Sequence, residues 1–66
     1  MNERERIGKR IAELRTEKGL TQEKLAELSG VGRSHLVRIE NGYYSVQLDI
    51  LAKIGDALGV KIDFVK

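Results

Sequence analysis

Cysteine and proline are both missing from this chain, and histidine occurs once. Without thiols there is neither a disulfide nor a thiolate metal site, and His35 does not build a metal site alone. No apolar run approaches the roughly 18 residues that a membrane span needs, and no charged-then-apolar signal segment opens the chain. These absences point to a soluble, cytoplasmic protein with no metal, no cofactor and no membrane partner. No serine, cysteine or carboxylate arrangement accompanies His35, and no lysine follows Gly30-Val31-Gly32 as it would in a phosphate-cradling loop. No catalytic residue is therefore assigned, and the chain reads as a non-enzyme.

What remains is small and mixed in charge. The 66 residues are expected to form one domain, 1–66, and a domain of this size buries only about 60% of the surface its unfolded chain exposes. With disulfides and metals excluded, oligomerisation is the staple left to it. Lysine and arginine exceed aspartate and glutamate by two, far from the excess of a histone-like tail, so the distribution of charge matters more than its sum. Residues 25–44 carry Arg33 and Arg38 against Glu27 and Glu40. The two glutamates are expected to sit away from the exposed face that holds the arginines.

Glycine supplies the punctuation that proline does not. Ile7, Ile11 and Leu14 recur at i, i+4 and i+7 among charged residues, which predicts a first helix over 7–18, with 1–6 either extending it or frayed. Lys18 and Gly19 suit its end. Thr21 offers an N-cap and Glu23 a first-turn carboxylate for a second helix over 21–29, closed by Gly30. A third helix over 33–40 buries Leu36 and Ile39 and stops at Asn41-Gly42, both read as left-handed terminators. Ser45 is the expected cap of a fourth helix whose buried side carries Leu48, Leu51, Ala52, Gly55 and Leu58.

The tail changes period. Val60, Ile62 and Phe64 alternate with Lys61 and Asp63, as in a half-buried strand. No second strand exists in the chain to pair with it, so residues 60–66 are either a strand that pairs with a second copy and makes a dimer through Val60, Ile62 and Phe64, or a short helical turn. The fold class that follows is all-α: a compact bundle of four or five helices with a short C-terminal strand or turn.

Residues 21–41 have the spacing of a helix-turn-helix unit. Ala26 is small where the second helix crosses it, Gly30 permits the turn, and Leu25, Val31, Leu36 and Ile39 share a core with the first helix. That leaves Arg33, Ser34, Val37 and Arg38 on the outward face, where a solvated helix has no need of a valine.

With Leu20-Thr21-Gln22, Leu25-Ala26, Gly30-Val31, Ile39-Glu40-Asn41-Gly42 and Ala57-Leu58-Gly59-Val60, the chain resembles the Cro/repressor helix-turn-helix family, also called XRE-like, over about residues 7–60. The resemblance implies a lambda-repressor-like DNA-binding domain and a role for each matching position. Arg33, Ser34, Val37 and Arg38 would read bases, Arg33 being suited to guanine O6 and N7. Gln22, His35, Asn41, Tyr43 and Tyr44 would face the DNA backbone, although His35 is more readily read as a structural or surface histidine and the tyrosines are equally able to pack on the fourth helix. Arg15 and Glu40 match an ion pair that braces the third helix. Two departures stand out: Gly32 replaces the serine or threonine cap common before the third helix, and the Tyr43-Tyr44 loop lacks the basic residues of phage repressors. The expected function is sequence-specific binding of double-stranded DNA as a homodimeric transcriptional regulator, a repressor on a two-half-site operator. The alternatives are an antitoxin that binds a toxin protein while repressing its own operon, and a purely protein-binding module.

Overall fold

The computed structural model describes all residues from Met1 to Lys66 and contains four helices and no strand. They are α1 (Glu3–Glu17), α2 (Gln22–Ser29), α3 (Arg33–Glu40) and α4 (Leu48–Leu58). The chain is all-α, as expected, and no fifth helix forms. None of the helices is long and apolar enough to cross a membrane.

Local chemistry accounts for where the helices begin. α1 takes in residues that the apolar stripe alone does not reach, because Asn2 and Glu5 form a reciprocal capping box. The Asn2 side chain accepts from the Glu5 backbone N–H at 2.9 Å, and the Glu5 carboxylate accepts from the Asn2 N–H at 3.0 Å. In the same turn Arg6 donates to Glu3, and that hydrogen bond, reinforced by charge, holds the Glu3 carboxyl below its ordinary value. The pair is exposed and adds little to stability. Thr21 caps α2 by accepting from the Lys24 N–H at 3.0 Å. α3 begins at Gly32 with no side-chain cap. α4 begins after Gln47, also without one, so Ser45 does not play the capping role expected of it.

The core gathers one or two residues from each element: Ile11 of α1, Leu25 and Ala26 of α2, Val31 of the turn, Leu36 and Ile39 of α3, and Ile54 and Leu58 of α4. The α4 stripe differs from the sequence reading. Ile54 is fully buried, while Leu48 and Ala52 are exposed and Leu51 is half-buried. The inward line runs through 51, 54, 55 and 58. Leu48 opens the helix one turn earlier and stays in solvent.

Two glycines carry geometry that no other residue would. Gly42 ends α3 with φ +72°, and a Cβ there would lie 2.8 Å from the Glu5 Cα. Asn41, by contrast, has φ −84°, so the left-handed turn belongs to Gly42 alone. Gly8, in mid-helix, is buried where α1 crosses the end of α3, and a Cβ at that position would lie 2.7 Å from the Glu40 carbonyl oxygen. The sequence reading assigned Gly8 no role.

Residues 60–66 form neither the strand nor the helical turn expected of them. The Val60 N–H donates to the Gly55 carbonyl at 2.9 Å as the chain turns back over α4, but beyond it the only hydrogen bond is a local one from the Phe64 N–H to Asp63. A lone extended segment has nothing within the chain to pair with. Ile62 and Val65 are exposed, and Phe64 is fully exposed.

Candidate nucleic-acid interface

The α2–α3 unit is held from inside. Leu25 and Ala26 on α2, Val31 in the turn, and Leu36 and Ile39 on α3 are all buried, and Gly30 makes the turn at φ +72°. With Leu36 and Ile39 committed inward, helical spacing sends Arg33, Ser34 and Arg38 outward, and all three are exposed. Neither arginine forms an ion pair, whereas Arg6, Arg10 and Lys24 each have a glutamate partner. Val37 is half-buried rather than fully on the outward face.

Behind this face lies an ion pair joining α1 to α3. Arg15 Nε donates to Glu40 Oε2 at 2.8 Å and Arg15 Nη2 to Glu40 Oε1 at 3.2 Å, a two-pronged contact. Arg15 Nη1 also donates to the Leu20 carbonyl at 2.8 Å. The side chains are 18% and 5% exposed, so the pair is largely shielded from water. Glu40 is thereby engaged by Arg15, and Glu27 is paired with Lys24. Neither glutamate pairs with Arg33 or Arg38.

The model of the helix-turn-helix family matches residues 11–65, which takes in the whole α2–turn–α3 unit. The chain belongs to the Cro/repressor type of helix-turn-helix protein. Members of that family are DNA-binding transcription regulators and not enzymes. This helix-turn-helix chain is 37% identical over 59 residues to the immunity repressor protein of Bacillus phage phi105, covering 89% of its own length and 41% of the repressor's. It therefore spans less than half of that relative. It is also similar to the restriction-modification controller protein C.AhdI from Aeromonas hydrophila, with a TM-score of 0.84 and 44% identity over 86% of each chain. A third likeness is to SinR, a master regulator for biofilm formation solved in complex with DNA. Here the TM-score is 0.80 and the identity 38%, over 83% of this chain and 89% of SinR.

The remaining residues singled out in this helix-turn-helix chain divide into two sets. Asn41 and Tyr43 are exposed beside the end of α3. His35 and Tyr44 are half-buried and stacked on each other, with ring centroids 5.4 Å apart and planes 14° from parallel, while Tyr44 also packs against the core. That packing occupies one face of each ring. Gln22, the first residue of α2, is half-buried, and its Nε2 donates to Glu40 Oε1 at 3.0 Å. Nothing in the sequence signals this contact, because 18 residues separate the partners.

Proposed function

We propose that this protein binds double-stranded DNA sequence-specifically, with α3 in the major groove, as a homodimeric transcription regulator on an operator of two half-sites. The observation that carries the reading is the pair Arg33 and Arg38. Both are exposed and without an ion-pair partner on a helix whose opposite face is locked into the core. Arg33, in the first turn of α3, is the guanine reader, joined by Ser34, with Arg38 reaching a base or a phosphate. Val37, half-shielded, has only part of its surface for a thymine methyl. Gln22, Asn41 and Tyr43 serve the DNA backbone, and the His35–Tyr44 stack shapes the edge of the helix that meets it.

Selection of sites from random duplex DNA tests the reading, together with the dependence of affinity on salt, since each phosphate neutralised steepens the fall of log K with log salt. On a selected site, Arg33→Ala is expected to cost about 1–3 kcal/mol and to relax preference at one position per half-site. Gln22→Ala is expected to weaken cognate and scrambled DNA by similar factors. Equal losses on both DNAs for both variants would remove Arg33 from the role of reader.

Size and surface support the dimer. The chain measures 30 × 22 × 21 Å, and successive major grooves on one side of a duplex lie about 34 Å apart, so one copy reaches one half-site. Between α1, α4 and the tail runs a mostly apolar groove of about 460 Å³, floored by Ile7, Ile11, Leu14 and Leu58. A second copy paired along the tail would cover Val60, Ile62 and Phe64 and give the tail backbone its missing hydrogen-bond partners. Removing residues 61–66 is expected to yield a monomer that binds a full palindrome hardly better than a half-site. Sedimentation at micromolar protein checks this, and a truncated protein that remains dimeric would move the interface to α4.

A further inference from the structure

Resting on the DNA-binding reading above, we infer that Glu40 is a positioning residue for the phosphate contact of Gln22. Gln22 opens α2 and Glu40 closes α3, and the two meet through Gln22 Nε2 and Glu40 Oε1 at 3.0 Å. A carboxylate only accepts hydrogen bonds, so of the two flips open to the glutamine amide it selects the one that presents nitrogen. Nitrogen carries two N–H groups. One is taken by Glu40, and the other remains for a second acceptor.

A phosphate oxygen is also acceptor-only, so an amide that met it through Oε1 would be repelled. A free surface glutamine would have to give up both its alternative flip and its rotamer freedom on binding, a cost in side-chain entropy that this arrangement meets in advance. Glu40 can sit near the DNA backbone because Arg15 neutralises it from the far side, at 2.8 and 3.2 Å. Arg15, Glu40 and Gln22 thus form a relay across α1, α3 and α2. The relay ties the phosphate anchor to the C-terminal end of the helix that reads bases, so anchor and reader keep one register.

The test combines affinity with order in the free protein. Wild type, Gln22→Ala, Glu40→Gln and the double variant are titrated against a duplex recovered by selection from random DNA, and melting temperatures are recorded for all four. Each single variant is expected to weaken binding about tenfold and the double variant also about tenfold, because the second change has no oriented amide left to lose. Losses that multiply to about a hundredfold would show that Glu40 acts independently of Gln22 and would overturn the positioning role. The side-chain amide of Gln22, observed by nitrogen-15 relaxation without DNA, is expected to be as rigid as helix backbone in wild type and mobile in Glu40→Gln. If Glu40→Gln does not fold, the wild-type relaxation still decides the question, since a mobile Gln22 amide overturns the positioning role. A wild-type chain that binds no duplex at low salt overturns the DNA reading and the phosphate contact with it. Binding together with a mobile amide overturns the positioning alone.

Discussion

Replacing Gly8 with alanine is expected to lower the unfolding free energy by about 3 kcal/mol, although alanine is the better helix former. Propensity alone would favour the substitution by about 1 kcal/mol. Against it stands the crossing of α1 and α3, where the added Cβ would lie 2.7 Å from the Glu40 carbonyl oxygen and closer still to that of Ile39. These are backbone atoms at the end of a helix, not the tips of flexible side chains, so relief requires the two helices to move apart. That movement would also pull on Ile11, Leu36 and Ile39, which pack in the same core. For a domain whose total stability is about 3–10 kcal/mol, the loss is a large fraction of the whole. Thermal or urea denaturation measures it, with Gly32→Ala as the control, because a Cβ at Gly32 meets nothing within 4 Å. The control adds no clash and is expected to change stability by less than about 1 kcal/mol, because the poorer N-cap preference of alanine opposes its gain in unfolded-state entropy. Equal midpoints for the two variants would show that the crossing has room to relax.

Glu40→Ala is expected to destabilise the fold by about 2 kcal/mol, which for a chain of this size lowers the melting temperature by about 8–16 °C. The substitution removes the acceptor of two Arg15 hydrogen bonds and one from Gln22 at a junction where the Glu40 side chain is only 5% exposed. The cost falls below that of a fully buried pair because Arg15 retains the Leu20 carbonyl and keeps 18% of its side chain in water. The same shielding predicts that the loss persists at high salt, where an exposed pair such as Arg6–Glu3 would be screened. An unchanged melting temperature would mean that desolvation offsets the whole attraction of the pair.

Much of this architecture is local chemistry and was legible as such. The glycines at the ends of α2 and α4, the Thr21 cap, the start of α3 and the inward set Leu25, Val31, Leu36 and Ile39 all follow from spacing and turn residues, since each depends on neighbours within one or two helical turns. The Asn2–Glu5 capping box belongs in the same class. Its signature stands in the sequence, and only the apolar stripe, which begins at Ile7, drew the expected start of α1 inward. The α4 stripe was harder to read. A helix with apolar residues at 48, 50, 51, 52, 54, 57 and 58 offers more than one inward line, and neighbouring helices choose between them.

The sequence by itself determined the helical periods, the turns, the assignment of Leu36 and Ile39 to the core and hence the outward placement of Arg33, Ser34 and Arg38, because these rest on backbone geometry repeated every few residues. Only the tertiary structure decided that Gly8 is a point of backbone contact, that Gln22 joins the Arg15–Glu40 pair, that Tyr44 goes to the core and stacks on His35, and that the alternating tail forms no strand within one chain. Each of these depends on which residues distant in sequence come to lie together. A period or a cap in the chain carries no record of that meeting.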